Sequence, residues 1–290
     1  MVLSRATRAL WNRSPRENWS RLANKPVPRP VWTHAKHAIW NRLPYYLTLF
    51  DRLCREAGTP LTFAGKDVLE IGCGPVLGLA PFLIVEGAAS VALVEPNYTE
   101  IRGSAEFRDD YLYPLWASHT RIVDAGVRQD FEHFMRGISE TKVFDVKLEK
   151  LPALDDRFDV ITSKSCLEHI ADLPRALEVC HAMSKPGSLN VHYVDFSMHR
   201  EADRIGSPFG LTYSQSRADN PEYLPNRRGM VNLLRASEVT ALFAQRFRTT
   251  RFFPLVDYKG RLDLRNLHAE WARFDEGDLS IASGVIIAIK

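Results

Sequence analysis

The chain has 290 residues, 45% of them hydrophobic and 25% charged, which is the composition of a soluble globular protein with a well-filled core. The longest apolar run, about Val76 to Val85, contains Gly78 and Pro81. It falls short of the about 20 apolar residues that cross a bilayer, so no transmembrane helix is expected, and the cysteines, which show no paired spacing, point to a cytoplasmic protein. The net charge of +3 is uneven: residues 1–30 hold seven basic side chains against Glu17, a charge of +6, which leaves −3 for the rest.

In chain order, residues 1–30 form a basic arm that ends in the extended stretch Lys25-Pro26-Val27-Pro28-Arg29-Pro30. Three readings of the arm stay open: a solvated tail, an organellar presequence, or a contact for an acidic substrate or surface. No apolar segment follows it, which argues against a secretory signal. Residues 31–60 read as a helical cap. Its helix over 32–57 carries Trp32, Trp40, Tyr45, Tyr46 and Phe50, is broken or restarted at Pro44, and ends at Gly58 and Pro60. The aromatic stripe suits either core or a substrate mouth.

From residue 61 to 290 the pattern is that of an α/β domain. Val68–Ile71 reads as a buried strand, Leu77–Val85 as the helix behind it, and Ser90–Glu95 as a second strand. Phe158–Ser163 is a further strand, and Leu173–Met183 a helix stopped by Lys185-Pro186-Gly187. Leu189–Phe196 is again a strand. Ser237–Phe247 is helical, and Arg251–Tyr258 and Ile281–Ile289 are closing strands. This alternation predicts a doubly wound, mostly parallel sheet of seven strands with helices on both faces. Segments 97–140 and 197–235 exceed what β-α-β links need and read as insertions on the substrate side.

The stretch Val68-Leu69-Glu70-Ile71-Gly72-Cys73-Gly74-Pro75-Val76-Leu77-Gly78 is a strand, then G-x-G-x-x-x-G opening a helix. Glycine is needed where backbone approaches a ligand or takes positive φ. A dinucleotide site wants its third glycine one position earlier, where Leu77 stands, so the spacing argues against a nicotinamide dehydrogenase. About twenty residues on, Glu95 ends the next strand, placed to accept hydrogen bonds from both hydroxyls of a ribose. The four cysteines show no paired spacing; they read as reduced thiols, and no metal site is expected from them.

Three blocks together resemble the class I S-adenosylmethionine-dependent methyltransferases that act on small molecules (the methyltransferase domain 11-like group). They are Val68 to Gly78, Val91 to Glu95, and the run Leu151-Pro152, Phe158-Asp159-Val160-Ile161, Leu167-Glu168-His169-Ile170 and Lys185-Pro186-Gly187, over roughly residues 65–196. The resemblance implies S-adenosyl-L-methionine as cofactor and a Rossmann-like fold. It implies that Glu70, Gly72, Cys73 and Gly74 hold the methionine end and Glu95 the ribose, with Gly78 and Pro96 completing that wall. Leu148 and Glu149 would flank the adenine. Lys147 stands where the family often has an aspartate, so Asp145 or a backbone carbonyl would meet the adenine amino group. Ser163 and Lys164 would lie beside the transferred methyl group.

For a proton acceptor the residues offer His192, Asp195 and His199. His192 and Asp195 fall on opposite faces of a regular strand. His199 as general base, oriented by Asp195, is the catalytic pair expected here, against the alternative of a loop-capping histidine. Some relatives bind a divalent metal through E-x-x-E-H; Ser165 replaces the first acid, so no metal is expected at His169. Arg227 and Arg228, with the basic arm, suggest an anionic or glycosidic small-molecule acceptor. No N-P-P-[YF]-like tetrapeptide follows the 158–163 strand, which argues against nucleic acid. The open alternatives are a protein or RNA methyltransferase that docks through the arm, and a non-catalytic cofactor-binding partner subunit.

Overall fold

A computed structural model describes residues 30–74, 76–119, 130–152, 155–197, 209, 212–220, 223, 231–260, 262 and 264–290, and side chains from residue 43 onward. Residues 1–29 of the basic arm, His199, Arg227 and Arg228 lie outside the described residues, as do parts of the 97–140 and 197–235 segments.

The centre is a seven-stranded sheet in the order β3-β2-β1-β4-β5-β7-β6. Its strands are β1 (Asp67–Ile71), β2 (Ser90–Val94), β3 (Lys142–Phe144), β4 (Phe158–Lys164), β5 (Ser184–Asp195), β6 (Thr249–Asp257) and β7 (Ile281–Ile289). β7 runs antiparallel to both neighbours and the other pairings are parallel. β1 and β2 are buried beyond their first residues because helices cover both faces, which is why they read as continuous apolar runs. Chain order reverses between β1 and β4, so the crevice outside their carboxyl ends is the topological switch point where such sheets bind ligands.

One face carries α1 (Pro30–Glu56), α2 (Ala80–Val85), α3 (Ala105–Phe107), α4 (Tyr113–His119) and α5 (Phe131–Glu140) over a core that includes Phe50, Leu53, Phe82, Phe107 and Phe134. The other face carries α6 (Leu173–Met183) and α7 (Ala236–Ala244) over Leu69, Ile71, Leu177 and Phe243. Side-chain caps start three of these helices: Ser104 accepts from Phe107 N at 3.2 Å, Asp130 from His133 N at 2.6 Å and Asp172 from Arg175 N at 3.0 Å. A third apolar cluster, with Phe209, Tyr213, Val231, Leu233, Trp271 and Leu279, gathers the segments that leave β5 and connect β6 to β7 through α8 (Glu276–Ser280). These segments emerge at the carboxyl edge of the sheet, beside the switch point.

Three expectations are corrected and one strand is added. α1 runs unbroken through Pro44. An interior proline costs about 3 kcal/mol, and the burial of Leu47, Leu49, Phe50, Leu53 and Cys54 in the next turns offsets it. The helix after the glycine turn begins at Ala80, not Leu77, since residues 76–79 form turns. Lys185-Pro186-Gly187 lies inside β5, which starts at Ser184, and a register shift opposite Phe158 and Val160 absorbs the irregular residues. β3 was absent from the sequence reading, as three partly exposed residues give no periodic signal.

Candidate functional site

The site begins with the turn after β1. Gly72, Gly74 and Gly78 take φ of 74°, 74° and 51°, the left-handed region that favours glycine. An added Cβ at Gly78 would stand 2.5 Å from Glu70 Oε1 and 2.7 Å from Cys73 Cβ. At Gly72 it would run into the Cys166 side chain. The turn is therefore packed by Glu70 at Gly78 and by Cys166 at Gly72, and the Gly72 amide donates to Val94 O at 2.9 Å.

Glu70 is 2% exposed, and both its carboxylate oxygens accept from Leu79 N, at 3.0 and 2.8 Å. It braces the turn by satisfying an amide at the start of α2. Burial pushes its carboxyl up to about 8; the Leu79 amide opposes the rise and the nearby Glu95 charge adds to it. Cys73 is buried, and desolvation raises its thiol far above the ordinary range, so it serves as packing.

Glu95, one residue past β2, folds onto the same turn. Its Oε2 accepts from Gly74 N at 3.0 Å, and its Oε1 accepts from Asn97 N at 2.8 Å and Asn97 Nδ2 at 3.2 Å. A carboxylate offers about four acceptor positions, so three donors leave one open, and release of the longest contact, to the Asn97 side chain, opens a second. The expected juxtaposition of glycine turn and strand-tip acid is thus observed. Pro96 follows Glu95 at an exposed position. Leu148 is buried and Glu149 partly buried in a 3₁₀ turn, Leu148–Lys150, on the path from β3 to β4; Asp145 and Lys147 are exposed.

Strand alternation separates Ser163 from Lys164. The Ser163 hydroxyl is fully buried and lies 2.8 Å from His192 Nδ1, on the face where His192 packs against Phe243. Lys164 occupies the opposite face, with its Nζ 5.3 Å from the centroid of Tyr46, which meets Tyr193 edge to face at 4.9 Å. The cap helix thus sets Tyr46 against Lys164 and Tyr193 while Phe50 enters the core, and the substrate-mouth reading of the aromatic stripe stays a proposal.

The proton-acceptor candidates separate too. Burial lowers His192 to about 3, and the ring sits beneath the sheet, away from the crevice. Asp195 ends β5 on the opposite face, and its Oδ1 accepts from Ser197 N at 2.9 Å and from the Ser197 hydroxyl. His199 lies outside the described residues, so the pair stays a proposal. His169 is exposed in a 3₁₀ turn, Leu167–His169. Among the described residues no group of three His, Cys, Asp or Glu side chains stands together as a metal site. No described helix is long and apolar enough to cross a membrane.

Sequence reasoning missed Asn97, Cys166 and the segment 258–280. Asn97 was legible in principle, as an Asx residue two positions after the strand acid. Cys166 touches the turn across 94 positions of sequence, and no local signal marks it.

A family model described as "Methyltransferase domain" matches residues 40–246. The ubiquinone biosynthesis O-methyltransferase of Azotobacter vinelandii is 28% identical over 124 residues, and that of Pseudomonas aeruginosa is 30% identical over the same length. Each alignment covers 43% of this chain and 42% of the relative, so the chain spans less than half the length of these relatives. Among solved structures, phosphoethanolamine N-methyltransferase 2 of Haemonchus contortus with S-adenosyl-L-methionine aligns with TM-score 0.47 and 14% identity, covering 87% of this chain and 52% of that one. A methyltransferase of Mesorhizobium loti aligns with TM-score 0.45 and 17% identity, covering 81% and 95%.

Proposed function

The chain belongs to the methyltransferase domain family, of the class I S-adenosylmethionine-dependent kind, and from that premise we propose that it transfers a methyl group from S-adenosyl-L-methionine to an oxygen of a small-molecule acceptor. The observation that carries the reading is the Glu95 carboxylate, held at 3.0 Å from the amide of Gly74 with acceptor capacity left over. A glycine turn without side chains and a strand-tip carboxylate, side by side at the switch point, fit a nucleoside whose sugar hydroxyls are donors. Their contact spans two chain segments, which a chance acid at a strand end would not require. The names of the curated relatives support oxygen over nitrogen as the attacked atom.

When bound, S-adenosyl-L-methionine supplies an electrophilic methyl group on a sulfonium. The protein's own work is to hold and orient. Glu95 fixes the ribose through two hydrogen bonds. The Gly72–Gly74 turn, where no side chain stands on either glycine, receives the methionine end, and Glu70 keeps that turn in shape from below. Leu148 and Glu149 flank the adenine. Lys164, Tyr46 and Tyr193 stand at the acceptor side of the crevice. Positioning of this kind supplies much of the acceleration in a one-step transfer. His199, with Asp195 behind it, takes the acceptor's proton. The 31–60 cap and the 97–140 and 197–235 insertions shape the acceptor side of the 61–290 domain.

Methyl-labelled S-adenosyl-L-methionine, incubated with the protein and with the small-molecule, protein and RNA fractions of a cell extract, tests the reading. Label in alkali-stable ethers of the small-molecule fraction is the expected result. Label confined to protein or RNA overturns the small-molecule acceptor, and bound cofactor with no transfer to any fraction overturns the catalytic assignment.

A further inference from the structure

Asn232 leaves the 197–235 insertion and is buried against the turn that follows β4. Its backbone N donates to Glu168 O at 2.7 Å, and its side-chain Nδ2 donates to Leu167 O at 2.8 Å and Ile170 O at 3.0 Å. Its Oδ1 accepts from Leu234 N at 3.1 Å. The side-chain amide thus has both donor hydrogens and its acceptor engaged. A single 3₁₀ turn such as Leu167–His169 exposes carbonyls that its own backbone does not satisfy. From more than sixty residues away, Asn232 supplies donors to Glu168 O and Ile170 O, and a second donor to Leu167 O, which already accepts from Ile170 N at 3.3 Å.

The turn so held reaches the cofactor side. Cys166 immediately precedes it and packs on Gly72, where a Cβ would collide with the cysteine side chain. Both ends of this chain of contacts carry backbone strain. Ser165 has φ 48° and Leu233 φ 55°, the non-glycine residues with positive φ among those described. A left-handed leucine persists only where its surroundings over-determine it. Asn232 on one side of Leu233 and the buried Arg235 on the other do that: Arg235 donates to the carbonyls of Phe196, Asp278, Leu279 and Ile281.

We infer that Asn232 is a positioning residue for the methyl-transfer site, holding Cys166 against Gly72 through the Leu167–Ile170 turn and so fixing the backbone that receives the cofactor. Asn232 bonds only to protein backbone, and it ties the acceptor-side insertion to the cofactor turn. The inference rests on the proposed function, and its test separates the two.

Three proteins are compared by calorimetry with S-adenosylhomocysteine, by thermal melting, and by hydrogen exchange of the peptide covering residues 70–79: the wild type, Asn232→Ala, and Met183→Ala as a buried control at the opposite edge of the sheet. Asn232→Ala is expected to lose about tenfold in affinity, the equivalent of one net hydrogen bond's worth of order at the turn, and to exchange faster over 70–79. Met183→Ala is expected to melt lower yet keep wild-type affinity and exchange. Asn232→Asp, which keeps the bond from Leu234 N but cannot donate to the two carbonyls, provides the same readout if the alanine variant does not fold, and should behave like it. Wild-type affinity and unchanged exchange in the Asn232 variant that folds overturn the inference. So does an affinity loss in Met183→Ala that scales with melting temperature in the same way. A wild type that does not bind S-adenosylhomocysteine overturns the proposed function instead, while the exchange comparison still decides whether Asn232 orders the turn.

Discussion

Replacing Gly78 by alanine puts the bracing of the glycine turn to a quantitative test. The new Cβ would lie 2.5 and 2.8 Å from the two Glu70 oxygens and 2.7 Å from Cys73 Cβ, in a backbone with φ 51°. The left-handed backbone alone costs about 1–2 kcal/mol for a residue with a Cβ. The Glu70 carboxyl must also move, and it is buried with its oxygens bonded to Leu79 N, so that bond weakens or breaks. Leaving the buried Leu79 amide without its acceptor costs about 1–3 kcal/mol. The sum is about 2–5 kcal/mol, a large share of the about 5–15 kcal/mol that holds a typical domain together. Urea unfolding followed by far-ultraviolet circular dichroism reads it as a lower midpoint with an unchanged slope. On the proposed function, cofactor affinity should fall as well, since the turn that shifts is the one assigned there to the methionine end. A variant less than about 1 kcal/mol below the wild type would refute the bracing argument, because the backbone cost alone exceeds that.

Other outcomes follow from the same geometry. Glu70 holds its proton more tightly when folded (about 8) than at its ordinary value of 4.5. Its contribution to stability is therefore fully present below pH 4.5 and is lost as pH rises through 8. Glu70→Gln should flatten that decline by on the order of a few kcal/mol between pH 5 and 8 in urea melts, and an equally steep decline in the variant would contradict the assignment. Arg235→Met removes the donor to four carbonyls and should speed hydrogen exchange across 264–282 while leaving β1 protected; uniform acceleration everywhere would contradict a local clamp. At the amino edge, Lys185 joins Asp67 and Asp159 at 2.7 and 2.8 Å, but its side chain is 36% exposed. Lys185→Met should lower stability by less than about 1 kcal/mol, and less still in high salt. A salt-independent loss of several times that would show the cluster to be buried in effect.

The fold was legible where its determinants are local. β1, the glycine turn and β2 lie within thirty residues, and the turn's chemistry is written in its glycines. The helix Leu173–Met183 and the strand Ile281–Ile289 match their predicted spans residue for residue. Local rules failed where tertiary packing outweighs them. Pro44 reads as a break, but the apolar face that follows it holds α1 straight into the core. Lys185-Pro186-Gly187 reads as a stop, yet β5 begins ahead of it because β4 and β7 already define its line. At the site, Glu95 and the glycines were found from spacing. Asn232, Cys166 and Arg235 were not, because each acts on partners far along the chain and none has a sequence signature. Ser163 and Lys164 are neighbours in sequence, but only the pleat shows that their side chains serve opposite faces.

The most direct test is a calorimetric titration of S-adenosyl-L-methionine into the wild type and Glu95→Ala. Two hydrogen bonds to a carboxylate, at about 1.5–3 kcal/mol each, predict tight binding by the wild type and a loss of about a hundredfold or more in the variant. Equal affinity in the two proteins, or a wild type that releases no heat and binds no cofactor at any pH, would contradict the grip of the second strand's acid on the sugar.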